Sequence, residues 1–266
     1  MGPSEPTNPY EAPQAELNAP VPAAGLPANI ENAVAGGYDF TVGEVMDEAW
    51  RLTKGMKGTF WGAAIVIGVI YLVTDAIFGV VLGLFLSKDP GVVAKQAFEG
   101  MVGALMTPFT VGVYMMCVRR ALGQPISFGT AFSYVARARV LIPTALLVFA
   151  MTALGLALLL IPGIYLAVGY QLAEQLVCDQ GLPTWKAMET SRRAIHHKWW
   201  SVFGLLFLVS LLVGVSALGL LIPLIWTLPW MFMTTAVLYR RIFYAPVPVE
   251  AELPKAGPPV VPVAPA

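Results

Sequence analysis

The stretch "LLLIPGIYLAVGYQLAEQLVCDQG", residues 158–181, decides the architecture. A run of leucines meets Pro162-Gly163, and apolar residues then resume with Tyr170, Gln171, Glu174 and Gln175 among them. Three readings compete: a buried hairpin of a soluble protein, a catalytic membrane site, or a bend between two membrane spans. Residues 140–178 are long enough for two crossings of about 20 residues each. Proline starts a helix well and glycine tolerates a tight bend, so Pro162 and Gly163 read as the structural turn. The device recurs: "ALGLALLLIP" at 153–162 is echoed by "ALGLLIP" at 217–223, which makes Pro223 a second turn. A re-entrant loop is the alternative, and it would need its backbone buried by protein.

Composition supports the bend. The 266 residues are 57% hydrophobic and 12% charged, with mean hydropathy +0.71. Soluble domains carry about 25% charged residues, so this chain has too little polar surface to face water on all sides. Six apolar runs free of Lys and Arg follow one another: 60–86, 98–118, 140–161, 162–178, 201–222 and 223–239. They are continuous rather than alternating, which disfavours a β-barrel. The expected fold is an all-α polytopic membrane protein with six transmembrane helices.

Two Pro-rich segments flank this domain of 41–244. Residues 1–40 hold seven prolines and no Lys or Arg, and residues 245–266 hold seven more prolines. Both read as disordered tails, without the apolar core of a signal peptide. Such tails offer sites for a membrane or cytoplasmic protein partner.

Fourteen of the sixteen basic residues fall on one side of the expected spans, and only Lys88 and Lys95 fall on the other. By the positive-inside rule both termini are cytoplasmic. The basic face would meet anionic lipid headgroups. A net charge of zero gives no reason to expect nucleic acid.

A short amphipathic segment precedes each pair of spans: "TVGEVMDEAWR" (41–51), "SFGTAFSYVAR" (127–137) and "PTWKAMETSRR" (183–193). Each ends in an arginine at the matched place, Arg51, Arg137 and Arg193. The pattern reads as three parallel repeats of interfacial helix, span, turn, span.

Chemistry-bearing residues are few. Asp75 falls near the middle of the first span and Glu174 in the fourth, close to Gln171. An acid in hydrocarbon costs roughly 2.5–3.5 kcal/mol on insertion scales, so it must be neutralised, hydrogen-bonded or wetted. Asp75, Glu174 and Gln171 form the candidate intramembrane polar site. "GVSALG" at 214–219 has no histidine in a span to serve as base for Ser216. His196 and His197 are adjacent and lack further ligand-type neighbours, so no metal site is expected. Cys117 and Cys178 are too far apart for a metal signature. No catalytic residues and no cofactor are expected.

The run from "LIPGIYLAVGYQLAEQLVCDQG" through "WKAMETSRRAIHHKWW", with "AVLYRRIF" at the end, resembles a known pattern. It is similar to the YciC-like six-span bacterial inner-membrane proteins and to the membrane domain fused to some glycerophosphodiester phosphodiesterases. The loop that carries the resemblance holds Asp179, Gly181, Ala187 and Ser191. The likeness covers about 160–243 well and the first two spans by layout. It implies fold and location; the family's function is largely unassigned, and the phosphodiesterase domain has no counterpart here.

Two functions fit these observations. The first is a non-enzymatic module that organises partners or lipids. The second is a transporter or lipid-handling protein with a midplane polar site around Asp75.

Overall fold

The computed structural model describes residues 28–85, 91–218 and 222–244. The remaining parts of the expected tails, 1–27 and 245–266, lie outside these residues, as does Lys88. The described residues form α-helices joined by short turns, with no strand among them.

Local chemistry starts the chain early. Asn29 caps α1 (Ile30–Ala35) by accepting from the Asn32 amide at 2.8 Å, and Gly36 ends it in the left-handed region at φ 81°. Residues 28–40 are therefore not wholly a free tail: Ala33, Tyr38 and Phe40 are buried. Thr41 caps α2 (Val42–Thr53), with Glu44 in its first turn and Arg51 in its last, as the helix dipole favours.

Two long helices follow, α3 (Lys57–Phe85) and α4 (Gly91–Ala121). At about 1.5 Å per residue, α4 is longer than a bilayer core is thick. Its second half is buried in the protein body. Two 3-10 turns, Phe128–Phe132 and Val135–Arg137, lead into α5 (Ala138–Leu158).

The chain reverses at Leu159, whose backbone is extended. Pro162 and Gly163 do not make that turn. They lie inside α6 (Leu160–Gly169), where proline in the first turn costs no hydrogen bond. Gly163 serves close packing instead. A Cβ on Gly155 would stand 3.0 Å from the Gly163 Cα, and one on Gly163 would stand 2.5 Å from the Leu156 nitrogen. α5 and α6 thus meet backbone to backbone.

The expected fourth span is broken. α6 ends at Gly169, and α7 (Ala173–Gln180) begins after Tyr170–Leu172. Ser191 spans the break: its Oγ donates to the Gly169 carbonyl at 2.6 Å and accepts from the Leu172 amide at 3.2 Å. A side chain inserted into the helical ladder is a recognised cause of such a kink. α8 (Thr184–His196) supplies that serine, α9 (Trp199–Leu218) follows, and α10 (Leu224–Phe243) closes the fold with Pro223 as its cap residue.

Four helical segments are long and apolar enough to cross a membrane: Lys57–Val81, Ala94–Ala121, Phe128–Leu158 and Trp199–Leu218. Their side chains lie mostly on the outside, except in α4. α10 has the length for a fifth crossing, but its residues 233–239 are enclosed by protein. The core is a packed layer of α2, the end of α4, α7, α8 and α10.

Candidate functional site

The expected polar residues land in different surroundings. Asp75 stands exposed on α3, among exposed Tyr71, Leu72 and Ile77. Among the described residues it makes no hydrogen bond or ion pair. Glu174 and Gln171 are half-buried in and beside α7, within the packed body. The two acids therefore do not share one pocket. Next to Glu174, Gln175 is buried, and its Oε1 has no hydrogen-bond partner among the described residues.

α3 is the least embedded of the long helices. No residue in its most apolar stretch is buried. A Cβ added at Gly68, Gly79 or Gly83 would meet nothing within 4 Å. Gly79 and Gly83 are four residues apart, the spacing that lets two membrane helices approach closely. Asp75 precedes Gly79 by four, so all three occupy one face of the helix.

A second site lies at the other end of the fold, where basic residues gather. A cavity of about 390 Å³ opens between the last turn of α4, the second 3-10 turn and the end of α7. Its polar walls include Arg119, Gln124, Ser133, Tyr134, Arg137, Asp179 and Tyr244. Arg137 reaches the terminal carbonyls of α7, donating through Nη1 to Cys178 at 2.8 Å and to Val177 at 3.2 Å. A cation there offsets the negative end of the helix dipole.

Asp179 is tied down within this cavity. Its Oδ2 accepts from Tyr239 Oη at 2.6 Å, Tyr244 Oη at 2.7 Å and Gln180 Nε2 at 2.6 Å. Burial, and then the bond to Asp179, push the Tyr244 phenol well above its ordinary range, so it stays a donor. Among the described residues the Arg119 guanidinium has no carboxylate partner and makes no hydrogen bond. Among the described residues the cavity therefore holds two guanidiniums against one carboxylate, of which Oδ2 already accepts three hydrogen bonds.

The four loop residues singled out in the sequence each have a visible task. Asp179 gathers the two tyrosines. Gly181 ends α7 at φ +64°, in the left-handed region that favours glycine. Ala187 is fully enclosed, and Ser191 bridges the break between α6 and α7. Nothing in the sequence flagged Arg119 or Arg137 as pocket residues. The one signal was a pair of basic residues with no acid at helical spacing.

Other reactive side chains are engaged structurally. His196 Nδ1 lies 3.1 Å from Tyr165 Oη, and His197 Nε2 lies 2.8 Å from the Val34 carbonyl. Ser216 donates to the carbonyl of Leu212 in its own helix at 2.7 Å. Cys117 and Cys178 are buried free thiols. Among the described residues no group of three His, Cys, Asp or Glu is placed to hold a metal. No protein-family model, curated protein or solved structure matches this chain.

Proposed function

We propose that this chain is a non-enzymatic membrane scaffold that seats the transmembrane helix of a partner protein against α3 at Asp75. The exposed position of Asp75 on a face lined by Gly79 and Gly83 carries this reading. A carboxyl facing lipid is costly, and a neighbouring helix that offers a donor removes the cost. Glycines at a spacing of four let that helix come close. The fitting partner is a different helix that sets a hydrogen-bond donor opposite Asp75. The alternative is a transporter or lipid-handling protein with a midplane polar site around Asp75, and the packed surroundings of Glu174 keep that acid out of such a site.

The body behind α3 is read as three repeats. α2 packs on α10, the first 3-10 turn packs on α4, and α8 packs on α6 and α7. Each interfacial segment thus grips the returning helix of the unit before it, and the first grips the last. On this reading α6–α7 is a broken fourth span and α10 a sixth, giving six spans with both termini in the cytoplasm. The basic residues at the ends of α4 and α10 support that orientation in a bacterial inner membrane. The resemblance to YciC-like proteins supports the same layout, and the Pro-rich tails are a second proposed handle for partners.

The test places a photo-crosslinker at Ala76 of the full-length protein in its native membrane. A defined protein adduct is expected, lost in Asp75→Leu and in Gly79→Ile/Gly83→Ile with folded yield unchanged. Adducts to lipid alone would end the proposal.

A further inference from the structure

We propose that the cavity between Arg119 and Arg137 is a binding site for a phosphate ester, independent of the helix-docking face on α3. The argument begins with charge. Arg119 and Arg137 project from different segments into one polar space of about 390 Å³. That volume lies in the range of small-ligand pockets, about 300–1,000 Å³. It suits a phosphate with a short polar substituent, and its polar walls do not suit an acyl chain.

Asp179, the one acid lining the cavity among the described residues, does not pair with these cations. Asp179 Oδ2 already accepts three hydrogen bonds, from Tyr239, Tyr244 and Gln180. No Arg119–Asp179 or Arg137–Asp179 ion pair forms among the described residues. Arg137 spends one nitrogen on the carbonyls of Val177 and Cys178, which fixes its side chain and leaves its other N–H groups free. Among the described residues Arg119 has no side-chain partner at all. Tyr134 lies at the same wall and adds a hydroxyl that makes no hydrogen bond among the described residues.

Two guanidiniums and a hydroxyl in one concavity recognise a tetrahedral oxyanion. The planar fork of arginine gives paired N–H···O bonds to phosphate oxygens, where a lysine would offer only a point charge. A carboxylate ligand would leave donors unused. The anion could come from a lipid headgroup at the membrane surface or from a soluble phosphate ester, and the chemistry at the arginines is the same.

The experiment uses the full-length protein. Binding of inorganic phosphate and of glycerol 3-phosphate is measured by calorimetry in detergent. Retention of phosphatidylglycerol against phosphatidylcholine is measured by native mass spectrometry from nanodiscs. Arg119→Gln should weaken binding about ten- to a hundredfold, as expected for a lost charge-assisted bond. Arg119→Lys should restore part of it. Ser133→Glu, which sets a negative charge at the exposed rim, should abolish it, and Lys186→Gln outside the cavity should change nothing. Phosphatidylglycerol retention alone identifies a headgroup site; binding of the soluble esters identifies a site for free phosphate compounds. Absence of binding by every probe overturns the proposal. So does binding that is equal in wild type, Arg119→Gln and Ser133→Glu, all three folded by thermal unfolding.

Discussion

Glu48 on α2 and Arg241 near the end of α10, 193 positions apart, are joined by Arg241 Nη2 donating to Glu48 Oε2 at 2.9 Å. Arg240 also bonds the Glu48 carboxylate, and Arg241 Nη1 donates to Glu44 at 2.8 Å. The first interfacial helix is thereby fastened to the last helix of the fold. The Glu48 side chain is only 16% exposed, so the pair is shielded from water. Burial alone would raise its carboxyl, but Arg240 and Arg241 outweigh burial and hold it below the ordinary glutamate value.

The sign of the pH effect follows. A carboxyl lowered in the folded state adds stability above its unfolded value, about 4.5. That stability is lost as pH falls through the lower, folded value. Thermal unfolding in one detergent should therefore show a Glu48 contribution that is flat from pH 7 to about pH 5 and then declines. Glu48→Gln should cost about 1–3 kcal/mol at pH 7, the scale of charge-assisted hydrogen bonds, and should flatten the acid limb. An identical acid limb in the variant would contradict the assignment.

Gly112 marks where the first 3-10 turn presses on α4. A Cβ there would stand 1.8 Å from the Ala131 carbonyl oxygen and 2.7 Å from its carbon. Those are backbone atoms and cannot swing aside. Gly112→Ala should cost about 1–3 kcal/mol or more through overpacking. Gly103 sits on the same helix with nothing within 4 Å of a Cβ, so Gly103→Ala should gain up to about 1 kcal/mol in helix propensity. Opposite shifts of the unfolding midpoint are expected, and equal shifts would refute the contact.

The long apolar helices were legible because the bilayer demands about 20 apolar residues in a row. Pro162-Gly163 points to a reversal three residues beyond the one at Leu159. Leu159 carries no turn signal of its own; the chain bends there because Gly155 and Gly163 let two helices touch, a tertiary fact. The break at Tyr170–Leu172 carries no local signal for a similar reason, since the serine that stabilises it lies on α8. Which face of α3 looks outward is a matter of packing, so Asp75 could be found but not oriented. The phosphate cavity draws on α4, a 3-10 turn and α7, and no short motif encodes a meeting of that kind.

The residues before α2 belong to the body. Tyr38 Oη donates to the Ala194 carbonyl at 2.6 Å, Phe40 is 4% exposed, and the Asn29 amide donates to the Phe243 carbonyl at 2.8 Å. A chain lacking residues 1–27 keeps these contacts, and one lacking residues 1–40 loses them all. Burying an aromatic side chain of this kind is worth about 1.5–3 kcal/mol. The longer deletion should therefore lower stability by about 3–6 kcal/mol relative to the shorter one. Matching unfolding midpoints for the two deletions would show that the segment adds nothing.

Ser191 offers the most local test of the broken span. Its hydroxyl both donates to Gly169 and accepts from Leu172, so one side chain satisfies two backbone groups that the helix break leaves open. Ser191→Ala strands both in a buried setting, at a cost of about 1–3 kcal/mol. The loss should be confined to the junction. Hydrogen exchange at the Leu172 amide should speed up by about ten- to a hundredfold, since 1.36 kcal/mol is a factor of ten, while amides in the middle of α9 keep their wild-type rates. Unchanged exchange at Leu172 would mean that water replaces the hydroxyl. The break would then be a property of α6 and α7 themselves rather than one imposed by α8.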